Sequence, residues 1–218
     1  DIKESSTINN SLEMIQAMSS YQLFTKKEYS PLKKLFTGLD QTSTECKICG
    51  NKKSNFQTFP IWQLPIPVNE KNLNREFDIT ECMDKWMETE ELDDENRLLC
   101  DFCGLKTNIT KSYKLFNTPK ILIIQLKRFK KDMYGNVSRK ITNKVNFPIN
   151  NFDISKYVSD SNIKKEKCIY NLVGVNIHHE LGGLMNLNVG HYVSIVKNRY
   201  DNNWYLFNDD EEPKKVEC

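Results

Sequence analysis

Two short cysteine motifs constrain this chain more than anything else in it: Cys46-Lys-Ile-Cys49-Gly50 and Cys100-Asp-Phe-Cys103-Gly104, each a CxxC followed by glycine. A CxxC turn lets two sulfurs reach one ion, and the glycine admits the backbone bend of a knuckle. Two knuckles complete the tetrahedral thiolate set that zinc prefers, at about 2.3 Å per bond. With all four positions filled by protein, none is left open for catalysis, so the expected cofactor is one structural zinc ion held by Cys46, Cys49, Cys100 and Cys103. The competing accounts are a disulfide framework or unrelated reduced thiols. Seven cysteines is an odd number and no basic-then-apolar leader opens the chain, which disfavours a disulfide framework. The gap between Cys49 and Cys100 exceeds the roughly 15–20 residues of a compact zinc ribbon. The ion is therefore expected to tie together the ends of extended arms with a helix inserted between them. Cys82 and Cys168 are expected as small buried side chains. Cys218 ends the chain and says little.

Composition narrows the function classes. A formal charge of +2 on 218 residues, with 28% charged and 39% hydrophobic, is ordinary for a globular protein and gives no basic face for nucleic acid. No apolar run approaches the 18 or so residues of a membrane helix, and the longest is 121–124. The chain is expected to be soluble, unsecreted and cytoplasmic and/or nuclear. It begins at Asp1 without an initiating Met, so it is expected to be a processed or trimmed form of something longer.

The first forty residues read as helical. Leu12, Ile15, Ala17, Met18 and Tyr21 recur roughly at helical spacing, and Ser30-Pro31 starts a second short helix that places Leu32, Leu35 and Phe36 inward and stops at Gly38. A third helix is capped by Asp78 with Glu81 in capping-box register, and Ile79, Cys82, Met83 and Trp86 form its inner face. From residue 105 onward the pattern is that of strands, at 121–126, 172–177, 192–196 and 204–207, which together predict a largely antiparallel sheet. Tyr134-Gly135-Asn136 is a turn signal, and 164–167 is a charged, solvated loop.

All three histidines, His178, His179 and His191, fall in one short stretch. His191 follows Gly190 and opens the strand 192–196, and the strand 204–207 leads into Asn208-Asp209-Asp210. Two adjacent antiparallel strands would bring His191 to the Asn-Asp pair. That arrangement suits a thiol protease, in which a histidine takes the thiol proton and a third polar group orients the imidazole. A structural strand histidine is the competing account from spacing alone.

From about Ser30 to Asp210 the chain resembles the ubiquitin-specific protease family of thiol deubiquitinases. The resemblance rests on the order and spacing of several motifs. These are Ser30-Pro-Leu-Lys-Lys-Leu-Phe-Thr-Gly38 leading into the first CxxC, Leu64-Pro-Ile-Pro67, the second CxxC, and Pro119-Lys-Ile-Leu-Ile-Ile-Gln-Leu-Lys-Arg-Phe129. They continue through Phe147-Pro148, Tyr170-Asn-Leu172, Gly190-His-Tyr192, Trp204 and Phe207-Asn208-Asp209. The resemblance implies an α+β, papain-like cysteine protease fold of fingers, palm and thumb, mainly antiparallel in its sheets. Residues 1–40 would be the remnant of a truncated helical thumb, 41–115 largely the zinc-bound fingers with the inserted helix, and 116–218 the palm. It also implies His191 as general base, Asn208 as the residue orienting it and Asp209 as an adjacent polar helper. Gln125, Phe129, His178 and Tyr192 match positions around the channel for the ubiquitin C-terminal tail, and Glu13 matches the start of the thumb helix motif.

Two departures stand out. The family's nucleophilic Cys lies in an N-terminal box, and no cysteine occurs upstream of Ser30, so the nucleophile is expected in a segment preceding Asp1. The segment from Glu180 to Val189 looks longer than usual for the loop over the ubiquitin tail. The leading expectation is an intact parent that hydrolyses the bond after the C-terminal glycine of ubiquitin, with ubiquitin or its conjugates as partner, neither nucleic acid nor membrane involved, and the oligomeric state open. The alternative is a catalytically inactive ubiquitin-binding or scaffolding pseudoenzyme. A zinc-ribbon nucleic-acid module is disfavoured by the near-neutral charge.

Overall fold

The computed structural model describes residues 2–28, 30–131, 134, 137–160, 168–180 and 190–217. Along the chain, α1 (Ile2–Glu28) and α2 (Pro31–Phe36) lead into β1 (Gly38–Cys46), β2 (Lys52–Phe59), β3 (Trp62–Pro65) and β4 (Phe77–Asp78), followed by α3 (Ile79–Met87). Next come β5 (Glu90–Leu92), β6 (Leu98–Leu99), β7 (Lys106–Thr107), β8 (Ile109–Asn117) and β9 (Ile124–Lys127). The short strands β10 (Phe129–Lys131), β11 (Val137–Lys140), β12 (Val145–Asn146), β13 (Phe152–Asp153) and β14 (Ile169–Tyr170) precede β15 (Gly174–Glu180), β16 (Gly190–Lys197), β17 (Trp204–Phe207) and β18 (Lys214–Val216). The chain forms two compact units, the first built from Asp1–Lys127, Asn143–Asn146 and Asp153–Ile169, the second from Arg128–Thr142, Phe147–Phe152 and Tyr170–Cys218.

The first unit is organised by a four-stranded sheet in the order β2-β1-β8-β5, antiparallel throughout. β1 and β2 are polar strands with no clean apolar alternation, and their extended form comes from pairing along their whole length, Gly38 opposite Phe59 through Glu45 opposite Lys52. Gly38 is required where it stands, because a Cβ there would lie 2.4 Å from the Phe59 ring. Ala17 of α1 packs with Leu39 and Phe116, and Phe56 meets Phe116 edge-on at 4.9 Å. α3 forms as its sequence predicts: the Asp78 N–H donates to Glu81 Oε2 at 2.9 Å, and Ile79, Cys82 and Met83 are buried. Each such fully buried apolar side chain contributes about 1.5–3 kcal/mol. Trp62 is buried between Trp86 of α3 and Tyr157, at ring separations of 5.1 and 6.1 Å.

Three expectations need correction. Leu32 is 67% exposed, although Leu35 and Phe36 are partly buried. α2 is anchored at its far end, where the Ile121 N–H donates to the Leu35 carbonyl at 3.0 Å, and its first turn remains open to solvent. The apolar run at 121–126 becomes a strand only from Ile124, with Ile121 and Ile123 exposed. Finally, the sheets are mainly antiparallel as expected, but the strand from the 121–126 run is not among the antiparallel ones: β9 pairs parallel with β3, and β4 and β12 form a second parallel pair.

In the second unit, β15, β16, β17 and β18 form an antiparallel sheet in chain order. β10 and β11 pair antiparallel. Gly135, Asn136, 161–167, 181–189 and Cys218 lie outside the described residues, among them the charged loop and the segment after Glu180.

Asp40, in the middle of β1, makes the first unit's stability pH-dependent. Burial pushes its carboxyl up from 3.8 to about 6, against a hydrogen bond to the Gln57 backbone that lowers it. Below pH 3.8 the group is neutral whether the chain is folded or unfolded and costs nothing. Above about 6 it is charged in both states, and the folded state bears the whole desolvation penalty. Asp40→Asn is therefore expected to leave stability unchanged at acid pH and to raise it by about 1–2 kcal/mol at neutral pH after allowance for solvent screening. Denaturant melts of both proteins across this range measure the difference, and equal melts at neutral pH would refute the burial account.

Candidate active site and metal centre

The two knuckles have the same backbone. In the first, the Gly50 N–H donates to the Cys46 carbonyl at 2.9 Å and the Cys46 N–H to the Asn51 carbonyl at 3.0 Å; in the second, Gly104 donates to Cys100 at 2.8 Å and Cys100 to Leu105 at 3.0 Å. Gly50 and Gly104 both sit at φ +68°, in the left-handed region where a side chain is strained. The first knuckle closes the hairpin of β1 and β2, and the second closes the hairpin of β6 and β7.

What joins them is register. β8 follows the second knuckle almost at once and runs antiparallel to β1 with Cys46 opposite Ile109. The Lys47 N–H donates to the Asn108 carbonyl at 3.1 Å, and Lys53 pairs with Asp101 at 2.7 Å across the two motifs. All four sulfurs consequently lie within 4.8 Å of one another, with Cys49 to Cys100 at 3.7 Å and Cys46 to Cys103 at 4.0 Å. Four thiolates around one ion at about 2.3 Å have tetrahedral edges of about 3.8 Å, so the two measured edges match and the cluster could hold one metal ion. Hydrogen bonding from the Cys49 backbone holds the Cys46 thiol down at about 7. Cys49, although favoured by the Asn51 backbone, is pushed up to about 12 by burial and its neighbouring sulfurs. Four sulfurs this close resist ionising together unless a cation compensates them.

In the second unit, β16 and β17 pair with Ser194 opposite Phe207, which places His191 and Asn208 just beyond the same end of the ladder. His191 Nε2 meets Asn208 Oδ1 in a short hydrogen bond. A carbonyl oxygen only accepts, so Nε2 carries a proton and, in the neutral ring, Nδ1 presents a lone pair. Asp209 Oδ2 lies 3.8 Å from that Nδ1. The His191 side chain is 31% exposed, which leaves Nδ1 reachable. Asp209 itself adopts φ +44°, a left-handed turn position that aspartate tolerates better than most residues.

Around His178 a second group assembles. Its ring lies 4.6 Å from the Tyr192 ring and 6.0 Å, edge-on, from that of Phe129, and Lys140 Nζ donates to its Nδ1 at 2.8 Å. Gly190 lies directly beneath: a Cβ there would come within 1.8 Å of His178 Nε2. Tyr192 is 62% exposed, offering an aromatic face for contact. Phe129, His178 and Tyr192 are thus brought together. Gln125 belongs to the first unit, where its Oε1 accepts from Gln63 Nε2 at 2.9 Å across the β3–β9 pair. Glu13 there accepts from Gln41 Nε2 at 3.0 Å and from Ser54 at 2.9 Å. Sequence reasoning missed Lys140 beside His178, and Glu211 and Lys214 behind Asn208. Only their charge marks them, and lysines and glutamates are common throughout the chain.

Comparison with known proteins agrees with this geometry. The model of the family described as ubiquitin carboxyl-terminal hydrolase matches residues 5–216. The chain is 30% identical over 189 residues to ubiquitin carboxyl-terminal hydrolase 2 of Gallus gallus, covering 87% of this chain and 49% of that protein. It is 30% identical over 183 residues to ubiquitin carboxyl-terminal hydrolase 3 of Homo sapiens, covering 80% of this chain and 34% of the relative. The chain therefore spans about half or less of the length of these relatives. Among solved structures, the SAGA Ubp8/Sgf11/Sus1/Sgf73 DUB module bound to ubiquitin aldehyde matches with a TM-score of 0.68 and 25% identity, over 95% of this chain and 44% of the matched one. With a family model spanning almost its whole length, this chain belongs to the ubiquitin carboxyl-terminal hydrolases.

Proposed function

We propose that the protein containing this chain is a thiol deubiquitinase that cleaves the bond following the C-terminal glycine of ubiquitin, with His191 as general base and Asn208 as its orienting partner. The observation that carries the reading is the His191–Asn208 hydrogen bond, which leaves the Nδ1 lone pair open. Nδ1 takes the proton of a cysteine thiol, the thiolate attacks the carbonyl carbon, and the imidazolium returns the proton to the departing amine. Water, deprotonated by the same nitrogen, then releases ubiquitin from the thioester. Asp209 Oδ2 stands 3.8 Å from Nδ1, beside the nitrogen that carries the proton in transit. The nucleophile is a cysteine of the N-terminal box that the family resemblance implies: four thiols here are grouped in the metal cluster, Cys82 and Cys168 are fully buried, and Cys218 matches no position of the family's motifs. Phe129, His178 and Tyr192, grouped in the second unit, receive the ubiquitin tail.

The metal is zinc, and its role is structural: it clamps the two knuckles. About one zinc per chain is expected by elemental analysis of freshly purified protein. Replacing Cys46 and Cys100 by Ser is expected to abolish the metal and lower the melting temperature, because metal binding and folding are coupled. Full metal content in that variant, or none in the parent, would sink the assignment.

For the chemistry, the test is His191→Ala in the full-length protein, assayed on a ubiquitin conjugate. Turnover is expected to fall by roughly 10²–10⁴-fold, the usual contribution of a positioned base. Ubiquitin affinity should change little, because the base acts on the reaction and not on docking. Near-normal turnover would refute the base. Asn208→Ala is expected to lose less, since Asp209 remains beside the ring.

A further inference from the structure

We propose that Glu211, braced by Lys214, is a positioning residue that fixes the tautomer of His191; the inference rests on the reading of His191 as base. An asparagine amide has two flips of almost the same shape, and they have opposite consequences here. In the observed one, Asn208 Oδ1 faces His191 Nε2, and Asn208 Nδ2 donates to Glu211 Oε1 at 2.7 Å. The other Glu211 oxygen accepts from Lys214 Nζ at 2.6 Å. Lys214 first, then Asn208 and the nearby His191, hold the Glu211 carboxyl below the ordinary glutamate range, so it is ionised and can only accept.

In the opposite flip Asn208 Nδ2 would donate to a bare His191 Nε2. The imidazole proton would move to Nδ1, 3.8 Å from Asp209 Oδ2, beyond hydrogen-bond range. That arrangement keeps the ring's hydrogen bond to Asn208, but its base nitrogen is blocked. What opposes it is the far side of the amide, where Asn208 Oδ1 would be driven against the Glu211 carboxylate, two acceptors face to face. The choice of base nitrogen is thus made one residue away from the ring.

The backbone builds this contact. The Glu211 N–H donates to the Asn208 carbonyl at 3.0 Å, closing a tight turn with Asp209 in the left-handed region, and the turn folds the Glu211 side chain back onto Asn208. Lys214 opens β18 opposite Leu206, so the sheet itself sets the position of the ammonium group. Neither residue touches the base nitrogen.

The experiment reads the tautomer directly. In the full-length protein labelled with ¹⁵N-histidine, two-bond proton–nitrogen spectra at a pH where imidazole is neutral distinguish a protonated from a bare ring nitrogen, and His191→Gln assigns the signals. The parent protein is expected to show bare Nδ1 and protonated Nε2. In Glu211→Gln, whose side chain presents either an oxygen or an NH₂ to Asn208, the Nδ1-protonated form is expected to gain about threefold to tenfold relative to the parent, and Glu211→Ala should do the same. Asp210→Asn removes the same charge from the neighbouring residue and should leave the tautomer unchanged. An unaltered tautomer in both Glu211 variants, or an equal change in Asp210→Asn, would overturn the proposal. Because no turnover is measured, this result is separate from the test of the base: an active His191→Ala enzyme sinks the mechanism, whereas an unmoved tautomer sinks only the role of Glu211.

Discussion

The antiparallel pairing of β1 with β8 is the contact on which the first unit depends. Each knuckle is a local structure that its own five residues and a left-handed glycine suffice to form. Bringing two of them together is a long-range problem, because the chain between Cys49 and Cys100 contains β2, β3, β4, α3, β5 and β6. The ladder solves it by placing Ile109 opposite Cys46, so that the second knuckle, a few residues before β8, arrives beside the first. Loop closure over such a distance carries an entropic cost that grows only slowly with length, and the cross-strand hydrogen bonds of the ladder offset it. β1 and β2 are held by backbone pairing along their whole length more than by a continuous apolar face.

Reading the sequence recovered what is local and what is carried by chemistry. The knuckles, the capping box at Asp78 and Glu81, the buried face of α3, and the strands that place His191 near Asn208 all announce themselves by spacing. β1 and β2 did not announce themselves as strands, because alternation of apolar and polar residues is the signal for a half-buried strand and Gly38–Cys46 lacks it. The exposure of Leu32 escaped notice for a different reason. Periodicity identifies a helical face but not whether anything covers it, and Leu32 in the first turn of α2 stays exposed while the Leu35 carbonyl at its far end is bonded to Ile121. Parallel pairing of β3 with β9 was equally invisible, since two short apolar strands carry no mark of their relative direction. In the site, residue types with rare chemistry could be read, while Lys140, Glu211 and Lys214 could not. Their importance lies in which atom they face, and that is a property of the fold.

In the second unit the candidate catalytic pair is placed by two registers at once. The pairing of β16 with β17 sets His191 against Asn208, and the pairing of β15 with β16 sets Tyr192 against His178. A slip of one residue in either would turn every side chain to the opposite face, carrying His191 away and bringing Tyr192 in. Gly190 opposes such a slip. His178 Nε2 occupies the space where a Cβ at 190 would stand, so the ring can pack over the strand only where a glycine lies beneath it. The residue after Gly190 is His191 and the one before it is Val189, and both carry a Cβ. Shifting the register by one in either direction places a side chain under the ring. The contact that shapes the aromatic group around His178 is therefore the same contact that locks the strand bearing His191. The position of His191 and the position of the aromatic surface cannot vary independently, and this follows from the absence of a single methyl group at Gly190.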